Sequence, residues 1–291
     1  MGPLASAALA EGVTQLSLAL FTTATTGGIV ACLIVVCYVL AHHRDAAACV
    51  RLQRFLIIPL AAVIIGLIAS TTHLGRPSNT LYVLMGVGRS PLSNEVVAVV
   101  AFTGLAWLGW LLSFARGRLL GVARALLVVS LPAGAFAIFR IASAYSIATI
   151  ITWALPYTQV NLMLVGLVSG PVLALLLFAA AGVAPGRLAP LGMSVSLVAA
   201  VCLTVSEALQ CLTLRGLESG LYPAADLVPF YPGCIAASAV LIAAGLAVLA
   251  LSLIRRAPLG IGRCAGATAL VFAGIFIVRF AFYCMRLTAG I

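Results

Sequence analysis

The sequence predicts an all-α integral membrane protein with eight transmembrane helices, arranged as two four-helix bundles with both termini on the outer side. Three observations carry this expectation. Of the 291 residues, 64% are hydrophobic. Only 8% are charged, against about 25% in an ordinary soluble domain, too few to make a water-soluble surface. The apolar residues are also gathered into runs of about 20, the length a helix needs to cross the hydrocarbon core.

The runs come in order along one polytopic domain, 1–291. The first, 15–40, is too long for the apolar region of a signal peptide and lacks a basic segment before it, so it is expected to stay in place as a span. The second, 55–72, has Pro59 near its start, and the third is 94–114. The fourth, 119–140, has Pro132 as a kink site, and the apolar stretch 141–153 after it either extends that helix or lies at the interface. The remaining four are 162–181, 191–214, 233–254 and 265–285. No soluble domain and no strong internal repeat interrupts them.

The net charge is +10, and all sixteen basic residues are arginine. A nucleic-acid binder gathers its basic residues on one face, whereas here they lie between apolar runs, so no nucleic-acid partner is expected. Ten of them, among them Arg44, Arg51, Arg54, Arg116 and Arg118, fall in the loops after the first, third, fifth and seventh runs. That side is expected to be cytoplasmic. The three outer loops, 72–93, 141–161 and 215–232, are longer and richer in polar, proline and aromatic residues, which points to the outer face as the working one. The eight cysteines include no C-x-x-C pair or zinc spacing, so no iron–sulfur cluster, metal site or essential disulfide is expected.

Residues 70–96 concentrate the groups able to do chemistry. His73 comes as the second run ends, and Gly75 and Pro77 then break the helix. Ser93 and Asn94 are suited to cap the third helix, with Glu95 in its first turn, where the helix dipole favours a carboxylate. Two antiparallel helices joined by this excursion bring His73 and Glu95 to the same depth. A histidine titrates near neutral pH and accepts protons, and a carboxylate partner fixes its tautomer or takes the proton on. A structural role fits equally well, with His73 capping a helix, Arg76 snorkelling to the interface and Glu95 stabilising an N-terminus. Spacing does not separate the two.

Further candidates lie at the same side. Arg140 ends the fourth run, and Arg279, Tyr283 and Arg286 share one face of the eighth. Glu207 and Gln210 are one turn apart in the sixth, where a carboxylate is either functional or paired with Gln210. Gly166 and Gly170 form a small-xxx-small pair suited to close helix packing. Trp107, Trp110 and Trp153 read as packing or interface residues. His42 and His43 fall on the opposite side from His73, which argues against a bis-histidine haem within the chain.

The motif His73-Leu74-Gly75-x-Pro77, followed by Gly88-Arg89-Ser90-x-Leu92-Ser93-Asn94-Glu95, resembles the DMSO reductase anchor subunit family. Ser169-Gly170-Pro171 and Arg279-x-x-Phe282-Tyr283 extend the resemblance. The family implies a multi-pass subunit of the bacterial cytoplasmic membrane. It anchors a molybdopterin catalytic subunit and a four-cluster iron–sulfur subunit, oxidises menaquinol and carries no haem, cluster or metal of its own. The residues matching its quinol site are His73 and Glu95. Around them, Arg76, Ser93, Asn94, Arg140, Arg279 and Tyr283 are candidates to bind the quinol, the arginines by holding Glu95 ionised or stabilising an anionic form of the quinone. The isoprenoid tail would lie between apolar helices. One departure stands out: members commonly carry a tyrosine soon after the arginine of the fourth helix, whereas Ile141, Ala142 and Ser143 follow Arg140 here and the nearest tyrosine is Tyr145. The alternative from another class is a proton-coupled secondary transporter using Glu207.

Overall fold

The computed structural model describes residues 2–42, 45–72, 77–115, 117–218 and 223–286. The helices in order are α1 (Pro3–Thr14), α2 (Leu16–Ala41), α3 (Ala46–Arg54), α4 (Ile57–Thr72), α5 (Pro91–Leu112), α6 (Arg118–Ala144), α7 (Pro156–Ala181), α8 (Leu188–Leu214), α9 (Ala224–Leu227), α10 (Tyr231–Ile254) and α11 (Ile261–Cys284). A 3₁₀ segment, Pro77–Gly86, lies between α4 and α5. Among the described residues there is no strand, and eight spans are long and apolar enough to cross a membrane, with α3 and α4 forming one of them as Ala46–Thr72.

Two of the spans form the centre. The most apolar windows of α2 and α7 are 72% buried, against 28–44% in the other six. The outer helices show the rest of their apolar surface to lipid, which is why no amphipathic period marks them. The α2 sequence explains its central place. Residues Thr22 to Gly28 are all small and all buried, and small side chains let membrane helices approach closely. The hydroxyls of Thr22 and Thr26 donate to the carbonyls of Leu18 and Thr22, at 3.0 and 2.7 Å, so these polar atoms stay satisfied within the helix. At Gly28 an added Cβ would lie 2.8 Å from the Pro59 carbonyl oxygen of α4. At Gly170 of α7 it would strike Val30 of α2. These glycines set the distances between α2 and its neighbours α4 and α7.

Around this centre α4 packs chiefly on α2, α5 on α6, α8 on α7 and α10 on α11. Pro132 sits inside a continuous α6, which runs on to Ala144 and so takes the start of the stretch that the sequence leaves open. Short helices absent from the expectation also form. Helix α3 is capped by Asp45, whose Oδ1 accepts from the Ala48 amide at 3.0 Å. Helix α1 lies against α11 and α9. The antiparallel pairs bring the end of α4, the start of α5, the end of α6 and the end of α11 to one end of the molecule.

Candidate functional site

The start of α5 is fixed one turn earlier than the sequence suggests. Ser90, in an extended conformation, is the N-cap, its hydroxyl accepting from the Ser93 amide at 3.4 Å, and Pro91 opens the helix. Proline at that position lacks only an N–H that would be unpaired anyway. The expected caps, Ser93 and Asn94, therefore lie inside the first turn. Asn94 Oδ1 accepts from the Gly88 amide at 2.7 Å, tying the preceding turn to the helix.

This places Glu95 just past the first turn, and not within it as the sequence suggests, pointing inward and only 1% exposed. Neither carboxyl oxygen has a hydrogen-bond partner among the described residues. The Arg140 guanidinium acts on the carboxyl electrostatically without bonding to it. A buried polar group with no partner is costly, so the carboxyl is open to a donor from outside the described residues. Glu95 lines a cavity of about 430 Å³, within the range of small-molecule sites.

The cavity is apolar with polar groups at one end. Phe21, Leu67, Val96 and Val100 form much of its inner surface, while Gln15, Ser70, Thr71 and Arg286 line the end away from the membrane interior. Arg286 Nη1 lies 2.8 Å from Glu11 Oε1, and Gln15 Nε2 donates to the same oxygen at 3.3 Å. Tyr145 and Trp153 line the same cavity, both buried. Trp153 stacks on Phe282, with ring centroids 5.0 Å apart and planes at 20°, and its indole N–H donates to the Phe282 carbonyl at 3.3 Å. Tyr145 meets Tyr283 edge-on at 5.7 Å. Burial, together with the nearby Glu95 carboxyl, holds the Tyr145 phenol well above its ordinary range, so it stays neutral, with its hydroxyl hydrogen-bonded to that of Tyr283.

Behind this aromatic wall lies Arg279, 1% exposed. Its guanidinium carbon sits 4.3 Å from the centroid of Phe282 and 5.4 Å from that of Tyr283, and its Nε donates to Thr22 Oγ1 at 3.2 Å. Arg279 and Tyr283 therefore support the wall and do not line the cavity. Arg140 and Asn94 line a different cavity, of about 400 Å³, on the other side of α5. Ser93 is buried beside the site without lining it. His73 and Arg76 lie outside the described residues. Gln15, Tyr145, Trp153 and Arg286 line the cavity although sequence reading assigned them no such place.

Glu207 belongs to a separate buried cluster. Its carboxylate accepts from the Tyr231 hydroxyl of α10. Gln210 Oε1 accepts from Asn161 Nδ2 of α7 at 3.0 Å and also faces the Tyr231 hydroxyl at 3.4 Å. The expected Glu207–Gln210 pair is thus replaced by partners on facing helices, because both side chains project from one face of α8 toward α7 and α10.

A family model for the DMSO reductase anchor subunit matches residues 9–285. The chain belongs to this family. The anchor subunit is 31% identical over 226 residues to the anaerobic dimethyl sulfoxide reductase chain YnfH of Escherichia coli K12, covering 78% of this chain and 79% of that one. It is 30% identical over 227 residues to the C subunit of the E. coli K12 anaerobic dimethyl sulfoxide reductase, with 78% and 79% covered. To the C subunit of the Haemophilus influenzae Rd enzyme it is 28% identical over 224 residues, with 76% and 78% covered. With its eight spans the anchor subunit is a multi-pass protein of the bacterial inner membrane. The transporter alternative is not favoured, since the family match runs through the helix that carries Glu207 and that carboxylate is already bonded to Tyr231.

Proposed function

We propose that this anchor subunit binds menaquinol in the Glu95 cavity, oxidises it there, and passes the electrons to an iron–sulfur partner. The observation that carries the proposal is the Glu95 carboxyl itself, buried and unpartnered in an otherwise apolar cavity between membrane helices. A quinol head group fits that setting: its ring packs on apolar and aromatic walls and its hydroxyl supplies the donor that Glu95 lacks.

Oxidation of menaquinol yields two electrons and two protons. Glu95 accepts a quinol hydroxyl hydrogen bond and takes a proton as the electrons leave. His73, the residue after the last of α4 in sequence, acts as the base for the second hydroxyl or shares the proton with Glu95. Arg140 offsets the negative charge that Glu95 holds. When the quinol binds, the Tyr145 hydroxyl turns from Tyr283 to a quinol oxygen, and Trp153, stacked on Phe282, excludes water. Arg279, held by Thr22, keeps the Phe282 and Tyr283 rings in place. Protons leave at the polar end through Gln15, Ser70 and Thr71 to the outer aqueous side.

In the assembly so proposed, a four-cluster iron–sulfur subunit docks on the outer face and feeds a molybdopterin catalytic subunit. The relatives' names make dimethyl sulfoxide the first acceptor to try. The test uses the assembled complex in membranes. Glu95→Gln is expected to abolish reduction driven by menaquinol while leaving reduction driven by a reduced viologen dye intact, because the dye feeds the partners directly. Normal menaquinol-driven turnover in that variant would refute the proposal.

A further inference from the structure

A second apolar space adjoins the Glu95 cavity. It has a volume of about 340 Å³ and lies in the seam between α4 and α5, walled by Ile64 and Leu67 on one side and Val100, Thr103, Gly104, Trp107 and Leu108 on the other, with the Thr103 hydroxyl bonded to the Val99 carbonyl. Leu67 and Val100 line both spaces. The seam is left loosely closed because α4 packs chiefly on α2 and α5 chiefly on α6. From Val100 to Leu108 it follows α5 for about 12 Å, leading away from Glu95 along the membrane-embedded middle of the span.

We propose that this groove holds the isoprenoid tail of the quinol whose head group sits at Glu95. The inference rests on the function proposed above and adds where the tail goes. A tail attached to a head group in the cavity must leave it by an apolar route. The end lined by Gln15, Ser70, Thr71 and Arg286 is polar, and stripping those groups of water for a hydrocarbon chain is unfavourable. The α4/α5 seam has no charged wall residue. It therefore offers nothing to hold a lipid phosphate, and Arg286, which lines the adjoining cavity, is paired with Glu11. It also follows the membrane-embedded middle of the span, where a long isoprenoid chain resides.

Gly104 gives a direct way to close the groove. A Cβ added there meets no atom within 4 Å, so a larger side chain occupies the groove without displacing protein. Gly266 on α11 is equally open and remote from the seam, which makes Gly266→Leu the control. The measurement compares a long-chain menaquinol with a tail-less naphthoquinol in the assembled complex. Gly104→Leu is expected to raise KM for the long-chain quinol on the order of tenfold, as a few buried methylenes are lost, and to leave KM for the tail-less quinol unchanged. Gly266→Leu should change neither. A ratio of the two KM values equal to that of the unaltered complex, whether both rise or neither does, overturns the proposal.

Photolabelling of the unaltered complex gives a reading that does not depend on any variant folding. A menaquinone carrying a diazirine early in its tail should label peptides from α4 and α5 and be displaced by plain menaquinone. Labelling elsewhere, or labelling of the groove by a diazirine phospholipid that menaquinone does not displace, contradicts it. The head-group reading fails separately, if Glu95→Gln still oxidises the tail-less quinol at the normal rate.

Discussion

Glu95 and Tyr145 face one cavity from two helices, the first from just past the opening turn of α5 and the second from the residue that caps the end of α6. The α5–α6 hairpin produces this, since the start of one helix and the end of the other meet at the same end of the molecule. One helix then offers an acceptor and the other a neutral phenol, kept protonated by burial and bonded to Tyr283 in the absence of quinol. Replacing Tyr145 by Phe removes one hydrogen bond, worth roughly 1 kcal/mol, and keeps the ring against Tyr283 and Trp153. Affinity for a quinol analogue should fall about fivefold while the complex assembles normally, as titration of the purified variant would show.

The Glu207 cluster is predicted to be structural. Tyr231→Phe leaves a buried carboxylate without its donor and should lower stability by about 1–3 kcal/mol. Glu207→Gln keeps an acceptor for the Tyr231 hydroxyl and should change stability little. Both variants, once assembled, should oxidise menaquinol at the normal rate. Thermal unfolding in nanodiscs reads the first effect and quinol-driven turnover the second. A collapse of turnover in Glu207→Gln with stability intact would show that Glu207 takes part in the chemistry.

Gly170 sets the contact between α2 and α7. A single methyl at that position runs into Val30, and both helices belong to the buried centre. Gly170→Ala should therefore cost about 1–3 kcal/mol through overpacking, despite alanine's better helix propensity. The same change at Gly104, where the added methyl meets no atom within 4 Å, should be neutral or slightly stabilising. Melting temperatures of the two variants, measured side by side, check the contrast.

The Arg286–Glu11 pair at the polar end of the cavity is 42% and 39% exposed. Exposed pairs contribute little, so Glu11→Gln should change stability by less than about 1 kcal/mol, and salt should erase even that. A clear loss of assembly on this substitution would indicate that the pair does more than close the rim.

The eight spans were legible because length and apolar content suffice to define a membrane helix, whatever its face. Glu95 stood out as a carboxylate near the start of a span, but spacing left a functional and a structural role equally open, and its place past the first turn was not legible. Nor was the rest of the site. Asn94 and Glu95 are adjacent in sequence, but neighbours on a helix point about 100° apart, which sends Asn94 toward the Arg140 cavity. Ser90, Ser93 and Asn94 are all good capping residues, and only Pro91 tells which one is used. Arg279 and Tyr283 share a helix face with Arg286, yet the Phe282 and Trp153 stack stands between the deeper pair and the cavity. Tyr145 and Trp153 lie in an apolar stretch with no periodic break. Their part in the site arises from where the ends of α2, α4, α5, α6 and α11 meet, and no local pattern encodes that meeting.

The most direct test of the central claim is equilibrium binding of a fluorescent menaquinol analogue to the assembled complex, with and without Glu95→Gln. Glutamine keeps an oxygen acceptor but loses the charge that strengthens the bond to the head group, so binding should weaken about tenfold, with subunit composition and dye-driven activity unchanged. Equal affinity in the two complexes would mean that the quinol does not bind at Glu95.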